Sequence, residues 1–273
     1  MNILTIGNSF SWSLRQYFPD VTASMGEKLK IEFANFGGCE LARHWSYIKA
    51  EKADPLCRIY CGGRRLCDIL SGTPWDVVTI QQASHESWRA ESFEPFATNI
   101  IGYVREFAPQ AEIMIQQTWA YRADSPRFAE WNISQSEMHA RLTENYRALA
   151  ARHKLRVIPT GLAVAISRET SPVKFKNYPP ELLTTLNWPD LPPQAGDVVG
   201  QIHWMKDPET GELKLGPDFI HLNRRGEYMQ ACLWFALLYG RSAEEIPFVP
   251  EEIGDRDAAF LRATAERAKR EWA

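Results

Sequence analysis

Several features that mark common protein classes are missing from this chain of 273 residues. No apolar run approaches the roughly 20 residues needed to span a membrane, so no membrane contact is predicted. The basic start and long apolar stretch of a signal peptide are also missing, which predicts a cytoplasmic protein. Basic residues are scattered and the net charge is −3, so nothing indicates nucleic-acid binding. No glycine-rich loop followed by lysine is present to hold a nucleotide phosphate.

Cysteine is scarce, and the cysteines form no metal-binding pattern. They are Cys39, Cys57, Cys61, Cys67 and Cys232. An odd number of cysteines without a secretory signal predicts free thiols. Zinc sites generally use four ligands, often as two close pairs, and no second pair follows the group at Cys57, Cys61 and Cys67. The sequence therefore predicts no metal and no other cofactor.

What the chain does contain is a series of apolar strands that alternate with amphipathic helices. The predicted strands cover residues 3–6, 31–36, 75–80, 112–116 and 155–159. This alternation predicts right-handed crossovers and a parallel sheet with helices on both faces. We therefore predict one α/β domain over residues 1–273. A proline-rich segment at about 171–217 is predicted to be a loop-rich insertion over the active site, and about 255–272 a C-terminal helix.

The first strand leads into a turn that carries Ser9. Gly7 allows a tight turn, Asn8 favours one, and Ser9 would stand at the carboxyl end of the strand, where α/β sheets bind ligands. Far along the chain, Asp218 and His221 are three residues apart, which would place them on one side of a helical turn. Asp218 would then fix one tautomer of His221, whose other nitrogen would be the base for Ser9.

These stretches resemble sequence blocks of the SGNH (GDSL-like) hydrolases. Residues 7–11 (Gly-Asn-Ser-Phe-Ser) resemble the family's serine block, with Asn8 where the family usually has Asp. Residues 218–221 (Asp-Phe-Ile-His) resemble its last block. Residues 35–39 (Asn-Phe-Gly-Gly-Cys) resemble its glycine block and, with the His-Trp at 44–45, are similar to a bacterial SGNH-like subgroup. The resemblance implies a three-layer α/β/α fold with five parallel strands in flavodoxin-like order, 2-1-3-4-5, and a catalytic triad of Ser9, His221 and Asp218.

An oxyanion formed at Ser9 would need hydrogen-bond donors. The backbone N–H groups of Ser9 and Gly38 are candidates, together with a side chain after the third strand. The family usually has Gly-x-Asn-Asp there, and this chain departs from it. Counting from Asp76 places His85 at the family's asparagine, whereas counting from the strand end places Gln82 first. Because a carboxamide always carries N–H groups, we predict Gln82 as the donor and His85 as a substrate contact.

The predicted function is hydrolysis of short acyl esters, such as acetyl esters, with a small-molecule or carbohydrate ester as substrate. His44, Trp119 and His203 are further candidates for substrate contact. Two alternatives stay open. An acyl transferase would use the same triad with another alcohol in place of water. A non-enzymatic protein would use the turn at residues 7–11 to bind a phosphate or nucleotide through backbone N–H groups.

Overall fold

A computed structural model of the chain describes residues 1–272. Five strands form one parallel sheet in the order β2-β1-β3-β4-β5. These strands are β1 (Asn2–Gly7), β2 (Lys30–Asn35), β3 (Val77–Ile80), β4 (Glu112–Gln116) and β5 (Arg156–Ile158). The predicted α/β class and the flavodoxin-like strand order are both confirmed.

Helices cover the sheet on both faces. The helices are α1 (Ser9–Trp12), α2 (Leu14–Ser24), α3 (Leu41–Ala53), α4 (Leu66–Ser71), α5 (Phe96–Phe107), α6 (Arg127–Trp131), α7 (Gln135–His153), α8 (Thr160–Thr170), α9 (Leu182–Thr185), α10 (Arg224–Leu238) and α11 (Asp255–Trp272). Helices α2, α8, α10 and α11 pack together, as do α3, α4 and α5. The right-handed crossover from β1 to β2 runs across the sheet in the opposite direction to the later crossovers, which places these groups on opposite faces.

The strands are apolar because helices cover both faces of the sheet. All four residues of β3 are buried, and so are five of the six residues of β1. A strand covered on both faces gains from apolar side chains at every position, so its sequence is a continuous apolar run rather than an alternating one. Among residues 1–272, no helix combines the length and the apolar character needed to cross a membrane.

The proline-rich segment is only partly irregular, in contrast to the prediction of a loop-rich insertion. It contains α9 and the strand β6 (Val199–Lys206), which pairs antiparallel with β7 (Leu213–Leu222). The signal was the spacing of apolar residues at 202 and 204 and at 213 and 215, on either side of a turn. The prolines obscured it, because most of them lie before β6 and only one lies in that turn.

The strand β7 is bulged where it faces Gly200. Val199 pairs with Leu222, but Gln201 pairs with Asp218, so residues 219–221 lie opposite a single residue of β6. Side chains three apart in a regular strand point to opposite faces. The extra residues change this alternation and bend the strand.

Asp218 and His221 face each other because of this bulge. Asp218 Oδ1 accepts hydrogen bonds from the backbone N–H groups of Ile220 (2.9 Å) and His221 (3.0 Å). The carboxylate thereby holds its own chain in a turn within the strand. The predicted helical turn is wrong, because the segment is a bulged strand, although the two side chains do lie on one side.

Substitution of Gly200 tests how much the site depends on the bulge. Gly200 has φ +85°, and a Cβ there would lie 2.9 Å from the Asp218 carbonyl oxygen and 3.0 Å from Arg122 Cζ. Gly200→Ala should lower the free energy of unfolding by about 1–3 kcal/mol through backbone strain alone, and the clash should also displace Asp218. We therefore expect thermal stability and the ester hydrolysis that the sequence predicts to fall together, as measured by thermal melting and an ester hydrolysis assay.

The matched control is Gly211, which lies between β6 and β7. Gly211 has a similar φ of +73°, but a Cβ there would meet no atom within 4 Å. Gly211→Ala should therefore lose stability through strain and keep its catalytic rate. If Gly200→Ala is as active as Gly211→Ala, the bulge does not set the position of Asp218.

Candidate active site

The site is centred on Ser9 and His221, which lie 212 positions apart in the chain. The Ser9 hydroxyl donates to His221 Nε2 (2.8 Å), and His221 Nδ1 donates to Asp218 Oδ2 (2.7 Å). A carboxylate can only accept, so this contact places the imidazole proton on Nδ1 and leaves the lone pair of Nε2 facing Ser9. The three side chains that the sequence singled out are therefore joined in one hydrogen-bonded relay.

Asp218 keeps its charge in this arrangement. Burial pushes the pKa of Asp218 upwards, but the hydrogen bond and electrostatic attraction from the His221 imidazole, with hydrogen bonds from two backbone N–H groups, outweigh it and lower that pKa to about 2. Asp218 is consequently a carboxylate throughout the mildly acidic and neutral pH range. Its charge is available to stabilise an imidazolium at His221.

The turn that carries Ser9 is held by a buried polar network centred on Asn8. Asn8 Oδ1 caps α1 by accepting from the Phe10 N–H, and Asn8 Nδ2 donates to the carbonyl oxygens of Cys39 (3.2 Å) and Gln82 (3.4 Å). Gln81 Nε2 donates to Asn8 Oδ1 (2.6 Å). These bonds join the ends of β1, β2 and β3. Sequence reasoning credited Asn8 only with favouring a turn, because its partners are distant in the chain.

Two backbone N–H groups were predicted to bind an oxyanion, one in the Ser9 turn and one in the loop after β2. Gly38 follows β2 with φ +58°, and the Asn8 bond to Cys39 ties its loop to the Ser9 turn. Among residues 1–272, neither the Ser9 N–H nor the Gly38 N–H donates to a protein acceptor. Both groups therefore remain available for the oxyanion-binding role that the sequence predicts for them.

A pocket of about 360 Å³ opens beside Ser9. Its walls are mainly apolar and include Phe10, Trp12, Trp119 and Leu222. Within residues 1–272, no group of three or more His, Cys, Asp or Glu side chains could hold a metal ion. The polar side chains that line this pocket are Ser9, Ser13, His221 and Glu227.

Comparison with known proteins places the chain in a family. A family model described as a domain of unknown function, DUF4886, matches residues 2–179. The chain belongs to the DUF4886 family. A search of curated proteins gave no match.

Solved structures show that the fold of this DUF4886 chain occurs in other proteins. A DUF4886 family protein from Bacteroides uniformis has a TM-score of 0.77 and 23% identity, over 98% of this chain and 94% of that chain. A GDSL-like lipase from Parabacteroides merdae has a TM-score of 0.51 and 11% identity, over 88% of this chain and 96% of that chain. An acetyl xylan esterase has a TM-score of 0.50 and 12% identity, over 87% and 100%. The fold is that of the SGNH (GDSL-like) hydrolases, as the sequence blocks predicted.

The prediction that Gln82 is an oxyanion donor is wrong for this DUF4886 structure. Gln82 Nε2 donates to the carbonyl oxygen (2.8 Å) and hydroxyl (3.0 Å) of Ser92. Gln82 Oε1 accepts from the N–H groups of Leu41 (2.9 Å) and Ala83 (2.8 Å). Both amide protons are thus used to join loops, and the side chain is buried. The sequence correctly identified Gln82 as the first amide side chain after β3. Its role could not be predicted, because its hydrogen bonds are made with Leu41 and Ser92, which lie elsewhere in the chain.

His44 does not contact substrate, contrary to prediction. Its ring is fully buried, Nε2 donates to the Gly7 carbonyl oxygen (2.9 Å), and Nδ1 accepts from the Tyr60 hydroxyl (3.1 Å). His44 therefore supports the backbone just before Ser9. Burial is the main cause that lowers the pKa of His44, to about 4, against the opposing effect of its bond to Gly7.

The buried His44 predicts that the fold loses stability in mild acid. The unfolded chain binds a proton at His44 below about pH 6.5, whereas the folded chain does not do so until about pH 4. Because the unfolded state binds more protons in this interval, stability falls as the pH falls, by up to about 3 kcal/mol from this group. Urea unfolding of the wild type and His44→Gln between pH 7 and 4 should show a shallower pH dependence in the variant. Equal slopes would contradict the assignment.

Trp119 and His203 are the other two residues that were predicted to contact substrate. Trp119 borders the pocket but is fully buried, stacks on Phe10 (4.1 Å between centroids) and donates Nε1 to the Ile220 carbonyl oxygen (2.8 Å). It supports the strand next to His221 rather than offering a free face to substrate. His203 is exposed on β6 and does not line the pocket beside Ser9.

Arg122 is a supporting residue that sequence reasoning missed. Its guanidinium is fully buried and donates to both carboxylate oxygens of Asp124 (2.7 and 2.8 Å), and its backbone N–H donates to the Phe219 carbonyl oxygen (2.9 Å). The Tyr178 hydroxyl also donates to Asp124 (2.6 Å). This pair joins the loop after β4, the proline-rich segment and β7. An arginine in a charged loop suggests a solvated side chain, and only its tertiary partners reveal otherwise.

Proposed function

We propose that this protein is a serine esterase that hydrolyses short acyl esters, with Ser9 as nucleophile, His221 as general base and Asp218 as the residue that orients it. The observation that carries the proposal is the continuous relay from the Ser9 hydroxyl through His221 to Asp218, with contacts of 2.8 and 2.7 Å. A serine hydroxyl is a weak nucleophile at neutral pH and needs a base at this distance.

The reaction would proceed in two halves. Ser9 Oγ attacks the ester carbonyl carbon as its proton moves to His221 Nε2, and the N–H groups of Ser9 and Gly38 bind the resulting oxyanion. The tetrahedral intermediate then expels the alcohol, which takes the proton from His221 and leaves an acyl-enzyme. Water attacks the acyl-enzyme while giving a proton to His221. Collapse of the second intermediate releases the carboxylic acid, and the proton returns to Ser9.

The pocket beside Ser9 supports a preference for short acyl groups. Phe10 and Trp119 are stacked and buried, so the wall that they form is part of the packed core. Apolar walls favour an alkyl group over a charged one. The fold shared with a GDSL-like lipase and an acetyl xylan esterase is compatible with this activity, and a carbohydrate ester is the substrate class that we favour.

The test is hydrolysis of p-nitrophenyl esters with acyl chains from acetyl to decanoyl, measured as kcat/KM. We expect the largest value for the shortest chains. Absence of turnover with every ester would contradict the esterase proposal. Product analysis with an added sugar as acceptor separates hydrolysis from transfer, since a transferase would form the acylated sugar in preference to the free acid.

A further inference from the structure

A second pocket, of about 350 Å³, adjoins the proposed site on the other side of the β7 bulge. It is lined by His85, Glu86, Arg89, Tyr121, Arg127 and Trp131. The two pockets meet at β7, because Ile220 lines this one whereas His221 and Leu222 line the pocket beside Ser9. A molecule in the second pocket would therefore contact Ile220, the residue that precedes His221 in the chain.

Aromatic rings form one wall of this second pocket. Trp131 is half-buried and packs 5.5 Å from both Tyr121 and Trp88, measured between ring centroids. Rings held in this way offer a rigid, flat surface whose position is fixed before a ligand binds. The C–H face of a sugar ring is flat and weakly apolar, and it packs on such a surface with little loss of conformational entropy.

Each arginine that lines this second pocket is paired with a carboxylate. Arg89 donates to Glu86 (3.4 Å), Arg127 donates to Glu130 (2.6 Å), and His85 Nε2 lies 3.1 Å from Glu40 Oε1. Each carboxylate is an acceptor and each guanidinium is a donor, so adjacent hydroxyl groups could be bound by both. Because the charge of each arginine is already offset by a carboxylate, neither guanidinium presents an unpaired positive charge to a ligand.

We propose that the second pocket binds the polyhydroxylated alcohol of the ester, a neutral sugar unit, while the apolar pocket beside Ser9 takes the acyl group. This inference rests on the proposed esterase function. The two parts of the substrate are separated by polarity. The hydroxyl-rich part packs against Trp131 and the charged side chains of the second pocket, whereas the alkyl part packs against Trp12. The scissile bond then lies beside His221, where the leaving oxygen can collect its proton.

The experiment compares two acetyl esters on the full chain: methyl glucoside carrying one acetyl group, and p-nitrophenyl acetate, which has no sugar. The readout is the ratio of their kcat/KM values. Trp131→Ala should lower this ratio about tenfold or more, mainly through KM of the sugar ester, since loss of an aromatic anchor has effects of this size. Arg127→Gln should lower it in the same direction. Trp188→Ala removes an exposed tryptophan outside the pocket and should leave the ratio unchanged.

Each other outcome has a distinct meaning. Hydrolysis of both esters with an unchanged ratio in Trp131→Ala and Arg127→Gln would overturn the sugar pocket and leave the esterase proposal intact. Arg127 is a mostly exposed side chain, so its variant provides the test even if Trp131→Ala does not fold. If the wild type hydrolyses neither ester, the esterase proposal itself is wrong. A more than tenfold preference for an acetylated glucuronate over the neutral glucoside would overturn the assignment of a neutral ligand.

Discussion

Ser9→Ala should reduce kcat for a p-nitrophenyl ester by about 10⁴-fold or more and leave the fold intact. The variant removes the only oxygen that His221 Nε2 contacts in the relay, so the acyl-enzyme can no longer form. The loss should be in kcat rather than KM, because the walls of the pocket are unchanged. Steady-state kinetics, with circular dichroism to verify folding, provide the measurement.

Ser13 supplies the matched control for this substitution. It lies one turn further along and lines the same pocket, but its hydroxyl donates to the Phe10 carbonyl oxygen (2.8 Å) rather than to His221. Ser13→Ala should therefore keep most of the turnover. A fluorophosphonate probe should label Ser9 in the wild type and in Ser13→Ala. Labelling of another residue, or substantial turnover by folded Ser9→Ala, would rule out the proposed nucleophile.

Asp218→Asn is expected to have the second-largest effect, a fall in kcat of about 10⁴-fold at neutral pH. One amide oxygen can still accept the backbone N–H groups of Ile220 and His221, so the bulge should persist. The amide nitrogen would then face His221 Nδ1 and donate to it. This reverses the tautomer, places the imidazole proton on Nε2 and removes the lone pair that accepts the Ser9 proton.

Kinetics and folding together test this account of Asp218. We expect KM and the thermal melting temperature of Asp218→Asn to stay near the wild-type values while kcat falls. Asp207→Asn is the control, because Asp207 follows β6 on the same hairpin and pairs with Lys214 rather than with His221. A kcat for Asp218→Asn within tenfold of the control would show that another group orients His221.

The low pKa of Asp218 bears on how a loss of activity in mild acid is interpreted. With this pKa lowered to about 2, the carboxylate contributes stability that is present above its unfolded value of about 3.9 and is lost only as the pH falls through about 2. Activity lost between pH 7 and 5 would therefore not reflect protonation of Asp218. Destabilisation in the same interval is expected from His44 instead.

Features that depend on neighbouring residues could be predicted from the sequence. The apolar run of residues 3–6 and the glycine after it predict a buried strand and a tight turn, and both are present. Likewise asparagine is a favoured N-cap residue, and Asn223 caps α10. The side chain of a cap bonds to the chain only a few residues away, so such signals require no knowledge of the tertiary structure.

Features that depend on partners distant in the chain could not be predicted. Gln82 has the right chemistry for an oxyanion donor, but Ser92 and Leu41 take up its hydrogen bonds. His44 resembles a pocket residue until Gly7 and Tyr60 are seen to enclose it. Each of these side chains is polar and suited to catalysis by type, and only burial against particular partners decides its role.

The sequence by itself determined the parallel α/β class, the turn that presents Ser9 and the three-residue spacing of Asp218 and His221. The tertiary structure alone decided that a bulge, rather than a helical turn, brings Asp218 and His221 together. It also decided which polar side chains are free to meet a substrate. The physical reason is that backbone preferences and apolar periodicity are written into short stretches of chain, whereas a hydrogen bond is made with whichever group the fold brings within reach.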